Sequence, residues 1–159
     1  MIKRLLVPID FSTPSLKALD YAVEFAKPFK PEFVLLHVLE PLYYPGPGAM
    51  DGGFDMGLVF QEIERAGREQ LSHATTRLKR RGLRVRSLLL AGSASQVIVE
   101  TAKKLHADLI VMATHGRTGL SHVLIGSVAE RVVREASCPV LTIRATEGSQ
   151  SGGRSGPHR

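Results

Sequence analysis

At 159 residues the chain is one domain's worth. With 43% of residues hydrophobic and 23% charged it can bury a core and stay ordinary for a soluble protein, and no apolar run approaches the length of a membrane span. The net charge of +6 and pI near 9.8 raise nucleic acid as a partner, while the single cysteine, Cys138, rules out an internal disulfide and agrees with a reducing compartment.

The opening Arg4-Leu5-Leu6-Val7-Pro8-Ile9 is a short apolar run that stops at Asp10. It meets Pro8 and Asp10 too soon for the apolar stretch of a signal peptide, so it reads as a buried strand of a cytoplasmic protein. Ser12 is placed to cap a helix whose first turn holds Pro14. Leu16, Leu19, Ala22, Val23 and Ala26 then recur at helical spacing until Pro28 and Pro31 end the pattern. Residues 33–39 form a second solid apolar strand. Residues 40–58, rich in Gly, Pro and Tyr, show no period and are expected to be a long loop.

Phe60, Ile63, Gly67, Leu71, Ala74 and Leu78 mark the inner stripe of a long helix, and Gly82 suits the position just past its end. Arg77, Lys79, Arg80, Arg81, Arg84 and Arg86 crowd this end. Cations at a helix C-terminus complement its dipole, and no aromatic residues interleave with them to stack bases, so a solvated helix end is preferred over a nucleic-acid surface. Val85 to Leu90 is a third strand. Gln96 to Leu105 reads as helix with Ser95 as its cap. Residues 109–113 are a fourth strand, Ser127 to Ala136 a short helix and residues 139–143 a fifth strand. From residue 146 the chain is Gly, Ser, Arg and Pro without apolar content; residues 1–145 are therefore expected to fold and 146–159 to form a disordered tail.

Strand and helix alternate throughout, and the strands are continuously apolar rather than alternating. That pattern predicts an α/β fold: a five-stranded parallel sheet with helices on both faces. In such sheets ligands bind beyond the carboxyl ends of the strands. The loops that share that edge follow Ile9, Leu39, Leu90 and Ala113.

The loop after the fourth strand carries the chemistry. It runs from Ala113 through Gly116, Arg117, Gly119 and His122 to Gly126-Ser127, where a helix begins. Gly126 would leave backbone N–H groups at the helix start facing outward, ready for phosphate, with the Ser127 hydroxyl beside them. Gly116 would allow close approach to a second phosphate. Against this, glycines cluster in turns and Ser127 serves equally as a cap. The loop is not a P-loop, because G-x-x-x-x-G-K-[ST] is absent and no lysine follows Lys104. Nor does a Rossmann G-x-G-x-x-G follow the first strand.

Val7-Pro8-Ile9-Asp10-Phe11-Ser12, Leu36-His37-Val38, Ala107-Asp108-Leu109-Ile110-Val111-Met112 and the glycine loop together resemble the universal stress protein family, over about Ile2 to Arg144. The family's ATP signature is G-x-x-G, nine residues, then G-[ST]. This chain matches it with Gly116, nine residues, and Gly126-Ser127, and departs at its first glycine, which is Ala113. The resemblance implies an open, twisted, Rossmann-like sheet of order 3-2-1-4-5 in a single domain. It implies ATP, or ADP or AMP, with or without Mg2+. Asp10, with Pro8 before it, would sit beside the nucleoside; the Val38 backbone would line the adenine pocket; Met112 and Ala113 would lie under the sugar. Gly116, Gly126, Ser127 and Val128 would hold the phosphates. Apart from the resemblance, the Arg117 guanidinium suits bidentate contact with a terminal phosphate, with simple solvent exposure as the alternative. The resemblance also implies a homodimer through the fifth strand, where Val140 to Ile143 would present an edge with no charge before Arg144.

Several residues keep a plainer alternative. Asp10 either accepts ribose hydroxyls or helps cap the helix that Ser12 begins. His115 and His122 lack an obvious carboxylate partner and read as polar loop residues rather than acid–base groups. His37 reads as a satisfied core histidine, Cys138 as a small buried residue, and no His/Cys spacing suits a metal. A nucleotide-dependent sensor or regulatory binding module is the expected function, acting on an unidentified protein partner. A slow ATPase and a nucleotide-free dimeric scaffold are the alternatives.

Overall fold

In the computed structural model, residues 1–41, 56–115 and 125–144 are described. Among them five strands and four helices alternate: β1 (Arg4–Pro8), α1 (Thr13–Ala26), β2 (Glu32–Leu39), α2 (Met56–Arg80), β3 (Arg84–Ala91), α3 (Ala94–Lys104), β4 (Leu109–Ala113), α4 (Ser127–Glu135) and β5 (Val140–Ile143). The strands form one parallel sheet in the order β3-β2-β1-β4-β5. Both the class and the strand order match the expectation.

The two-residue period of a strand explains the layers. Leu5, Val7 and Ile9 of the first strand segment, Phe33 and Leu35 of β2, and Leu109 and Val111 of β4 point to one face. There they pack with Leu19, Ala22 and Val23 of α1 and with Leu71 and Leu78 of α2. Leu6, Val34, Leu36, Ile110 and Met112 point to the other face, against Ile98 and Ala102 of α3 and Ala129 and Val132 of α4. With helices on both faces the middle positions of β1, β2 and β4 are apolar except for His37, which is why these strands read as nearly unbroken runs. Each fully buried Leu or Val contributes about 1.5–3 kcal/mol.

Several boundaries differ from the expectation by one to three residues. Helix α2 already begins at Met56, so the loop expected over 40–58 ends three residues sooner; residues 42–55 lie outside the described segments. Ser93, not Ser95, holds the N-cap position of α3, and Ser95 is buried in its first turn. Strand β5 starts at Val140, although the Pro139 carbonyl already accepts the Ile110 N–H at 3.0 Å. Helix α4 ends at Glu135, one residue short of Ala136. Gly82 has φ +79, the left-handed conformation that ends α2 and that a side chain would strain.

The basic run at the end of α2 is partly paired across to α1. Arg77 lies 3.7 Å from Asp20 and Arg81 3.2 Å from Glu24. These contacts join residues more than fifty positions apart and could not be read from local sequence. No helix among the described residues is long and apolar enough to cross a membrane.

Candidate functional site

In the strand order β3-β2-β1-β4-β5 the chain winds outward from β1 in one direction, then crosses to β4 and winds the other way. The switch point lies between the carboxyl ends of β1 and β4, and it is there that a parallel sheet opens a ligand crevice. Pro8 and Asp10 stand on one side of it. Met112, Ala113, Thr114 and His115 stand on the other.

Each helix that starts at this edge presents N–H groups without intrahelical partners. At α1, the Ser12 hydroxyl accepts from the Ser15 N–H at 3.3 Å. Ser12 is itself pinned by Asp10, whose Oδ1 accepts from the Ser12 N–H at 3.0 Å and from its hydroxyl at 2.6 Å. At α3, Ser93 makes no side-chain cap; the Glu40 carboxylate, arriving from the end of β2, accepts the Ala94 N–H at 3.1 Å.

Helix α4 differs. Its N-cap, Gly126, has no side chain to offer, and its own N–H is spent on the Thr114 carbonyl at 2.7 Å. This corrects the expectation that the Gly126 N–H faces outward. The donors left over are those of Ser127, Val128 and Ala129, for which no described residue supplies an acceptor. The same bond explains why residue 126 is glycine. A Cβ there would lie 3.0 Å from the Thr114 carbonyl oxygen and 3.7 Å from the His115 Cα. The strand end and the helix start approach too closely for a side chain.

The Ser127 side chain is exposed, whereas Val128 leans into the core beside Ala129. Met112 and Ala113 are buried, 6% and 8% exposed, and Pro8 is buried as well. Their side chains build the floor of the crevice rather than reach into it. Val38 is half-buried and pairs with Leu90 in the β2–β3 ladder. Thr114 extends the β4–β5 ladder through its N–H to the Ile143 carbonyl at 3.0 Å, and its hydroxyl lies 2.9 Å from His115 Nδ1. Gly116, Arg117 and His122 lie outside the described residues.

Two neighbours of the crevice were not singled out by sequence reasoning as part of it. Phe11 has φ +62, an unusual conformation for a bulky residue, and its ring meets the edge of His37 at 4.9 Å between centroids. His37 is 6% exposed and its Nδ1 donates to the Ile9 carbonyl at 2.7 Å, so it is the satisfied core histidine expected. The pair fixes the turn that carries Asp10. The signal for it was Phe11 between Asp10 and Ser12, a bulky residue in a tight turn. Cys138 is half-buried, and burial pushes its thiol up, away from the reactive thiolate form.

The universal stress protein family model matches residues 1–144. The chain belongs to the universal stress protein family. It is 36% identical over 144 residues to Universal stress protein MJ0531 of Methanocaldococcus jannaschii, covering 91% of this chain and 83% of that one. It is 30% identical to Universal stress protein YxiE of Bacillus subtilis, covering 91% and 100%. Among solved structures it resembles hypothetical protein MJ0577, with a TM-score of 0.80 at 26% identity over 93% of this chain and 99% of the other.

Proposed function

We propose that this universal stress protein binds an adenine nucleotide, ATP foremost, with its phosphates on the N-terminus of α4. The observation that carries this reading is the bare start of α4 at the switch-point crevice. Three N–H groups there have no acceptor among the described residues, while α1 and α3 have each been given one. Such a terminus favours anions through hydrogen bonding and dipole together. Two structural neighbours support an adenine ligand: a universal stress protein in complex with cAMP, and the Arabidopsis thaliana family protein At3g01520 with AMP bound.

In this arrangement Asp10 and Pro8 stand by the nucleoside, Val38 by the adenine, and Met112 and Ala113 beneath the sugar. Ser127 and Val128 donate to phosphate, Gly126 lets the backbone come close, and Gly116 and Arg117 complete the loop. Ala113 in place of glycine adds one methyl group below the sugar. Any Mg2+ would arrive on the phosphate oxygens, because the described residues bring no three ligating side chains together.

The site binds rather than turns over. Phosphoryl transfer needs a positioned base and a cationic clamp, and the sequence has no lysine after Lys104. The protein acts as a cytoplasmic sensor or regulatory module, read by a partner. It works as a homodimer paired through the outer edge of β5, where Val140 to Ile143 have β4 as their one neighbour among the described residues.

Acid extraction of the purified protein, followed by chromatography, should release adenine nucleotide in near-equal amount to protein or after loading with ATP. A protein that neither retains nor takes up adenine nucleotide would refute the reading. Sedimentation at a concentration on the order of tens of micromolar should show a dimer, and Thr142→Pro should dissociate it, because the Pro139 and Ile143 carbonyls face β4 and the Thr142 N–H therefore faces the outer edge. A parent that sediments as a monomer would refute the dimer.

A further inference from the structure

The amino edge of the sheet, opposite the proposed nucleotide crevice, holds a second feature. A cleft of about 980 Å³ runs across the starts of β1, β2 and β3. Five cationic side chains line it, Lys3, Arg4, Lys30, Lys79 and Arg84, against a single carboxylate, Glu32. Glu32 is already shared by two arginines, Arg4 at 3.0 Å and Arg86 at 3.3 Å. Lys3, Lys30 and Lys79 have no ion-pair partner among the described residues. Arg84 spends one nitrogen on the Lys30 carbonyl, at 2.6 Å.

Helix dipoles account for part of this charge. The C-termini of α1, α2 and α3 end at this edge, each worth about half a negative charge. Arg77, Lys79 and Arg80 in the last turn of α2 already exceed that for their own helix. The cleft lysines are therefore surplus.

Apolar side chains share the lining with the cations: Ile2, Phe29 and Leu83, with Phe29 41% exposed. Lys79 also lines a second hollow, of about 270 Å³, between α2 and β3. Ser72, Thr75, Thr76 and Ser87 face this hollow. The Thr75 hydroxyl is buried there without a hydrogen-bond partner, an arrangement that an incoming acceptor would relieve.

We propose that this cleft docks an extended, acidic segment of a partner protein whose carboxylates meet Lys3, Lys30, Lys79 and Arg84 and whose apolar side chains sit on Phe29 and Leu83. Charge complementarity selects the acid, and the apolar part of the lining selects a polypeptide over a nucleic acid. A single-stranded nucleic acid would want several aromatic platforms, and the cleft offers one ring. The hollow runs beside β3, an eight-residue edge strand. At about 3.3 Å per residue a segment of roughly eight to ten residues would fill both spaces. Because docking occurs at one sheet edge and nucleotide at the other, both ligands would be held at once, and the docking does not depend on the nucleotide reading.

The test is fluorescence anisotropy on the full chain with a rhodamine-labelled peptide of about ten residues alternating Glu and Leu. Saturable binding that weakens as salt is raised is expected. The matching Gln–Leu peptide should bind about tenfold or more weakly, and so should the Glu–Leu peptide to the double variant Lys30→Glu, Lys79→Glu. That variant should lower the thermal midpoint by no more than a few degrees, the cost of a carboxylate in place of a lysine in the last turn of α2. Thr75→Val should cost a few-fold. Absence of saturable binding, equal affinity for the Gln–Leu peptide, or an undiminished double variant would overturn the proposal. So would a labelled oligo-dT strand that binds more tightly than the acidic peptide, which would assign the cleft to nucleic acid.

Discussion

The starts of α3 and α4 lie at the same edge of the same sheet, and the chain treats them oppositely. At α3 the Glu40 carboxylate reaches from the end of β2 and takes the Ala94 N–H. At α4 the N-cap is glycine, its N–H is turned inward to Thr114, and the next three donors are left without an acceptor among the described residues. Two further orphan donors, at the opposite edge, follow the α3 pattern: Asp108 accepts the N–H groups of Lys3 and Arg4, each at 2.8 Å. Where the fold needs an anion only for stability, it supplies one from its own side chains. In the proposed arrangement the helix start without one takes its anion from the bound nucleotide.

The largest expected effect comes from closing that place. Gly126→Val puts a branched side chain where even a Cβ would stand 3.0 Å from the Thr114 oxygen. The strand end and helix start must part, and the three donors lose their common direction. ATP binding should fall by about a hundredfold or more in equilibrium dialysis, while the sheet, seen by circular dichroism, persists. Gly126→Ala should fall in between. Undiminished binding by the valine variant would remove α4 from the site.

Next in size is Asp10→Ala. Asp10 pins Ser12, and Ser12 caps α1, so the plainer alternative weighed from sequence is realised at least for Oδ1. If Asp10 also accepts ribose hydroxyls, the variant should bind ATP several-fold more weakly, on the order of 1 kcal/mol. It should lose less against 2′,3′-dideoxy-ATP, which lacks those hydroxyls. Equal losses would leave Asp10 acting through Ser12 alone.

What was legible in the sequence follows the range of the interactions. Strands β1, β2 and β4 showed as solid apolar runs because helices cover both their faces. The end of α2 showed because a left-handed residue there wants glycine, and Gly82 obeys. The α3 start was misplaced by two residues because Ser93 and Ser95 are equally plausible caps locally, and the true acceptor, Glu40, lies 54 positions from Ala94. The inward turn of the Gly126 N–H was equally invisible, since Thr114 stands across a loop. Strand order came from the family resemblance; nothing in the residues alone distinguishes 3-2-1-4-5 from other windings. Gly116 and Arg117 fall outside the described residues, so the part of Gly116 rests on the signature and that of Arg117 on the fit of a guanidinium to phosphate.

Glu40→Ala tests the α3 side of the comparison. Removing one cap should cost about 1 kcal/mol, or roughly 2–4 °C in thermal midpoint for a chain of this length. ATP affinity should stay at the parent's value, because α3 contributes no phosphate donor in this arrangement. A marked loss of affinity with little loss of stability would place the phosphates at α3 instead.

The smallest effect concerns Asp108, and it has a pH signature. The N–H groups of Arg4 and Lys3 hold its carboxyl below the usual carboxylate range, against a small opposing effect of burial. A carboxyl whose folded pKa is lowered stabilises the fold above its unfolded value, near 3.9, and loses that contribution as the pH falls through the folded value. Asp108 is nearly fully solvated, so solvent screens most of the effect. Asp108→Asn keeps an oxygen for the two N–H groups but removes the charge. Its thermal midpoint should therefore lie below the parent's by no more than a few degrees at neutral pH, and the two should converge as the pH falls through the lowered folded value. A constant gap across that range would mean that shape, not charge, holds the start of β1 against β4. The contrast with α4 would then rest on Ser12 and Glu40 alone.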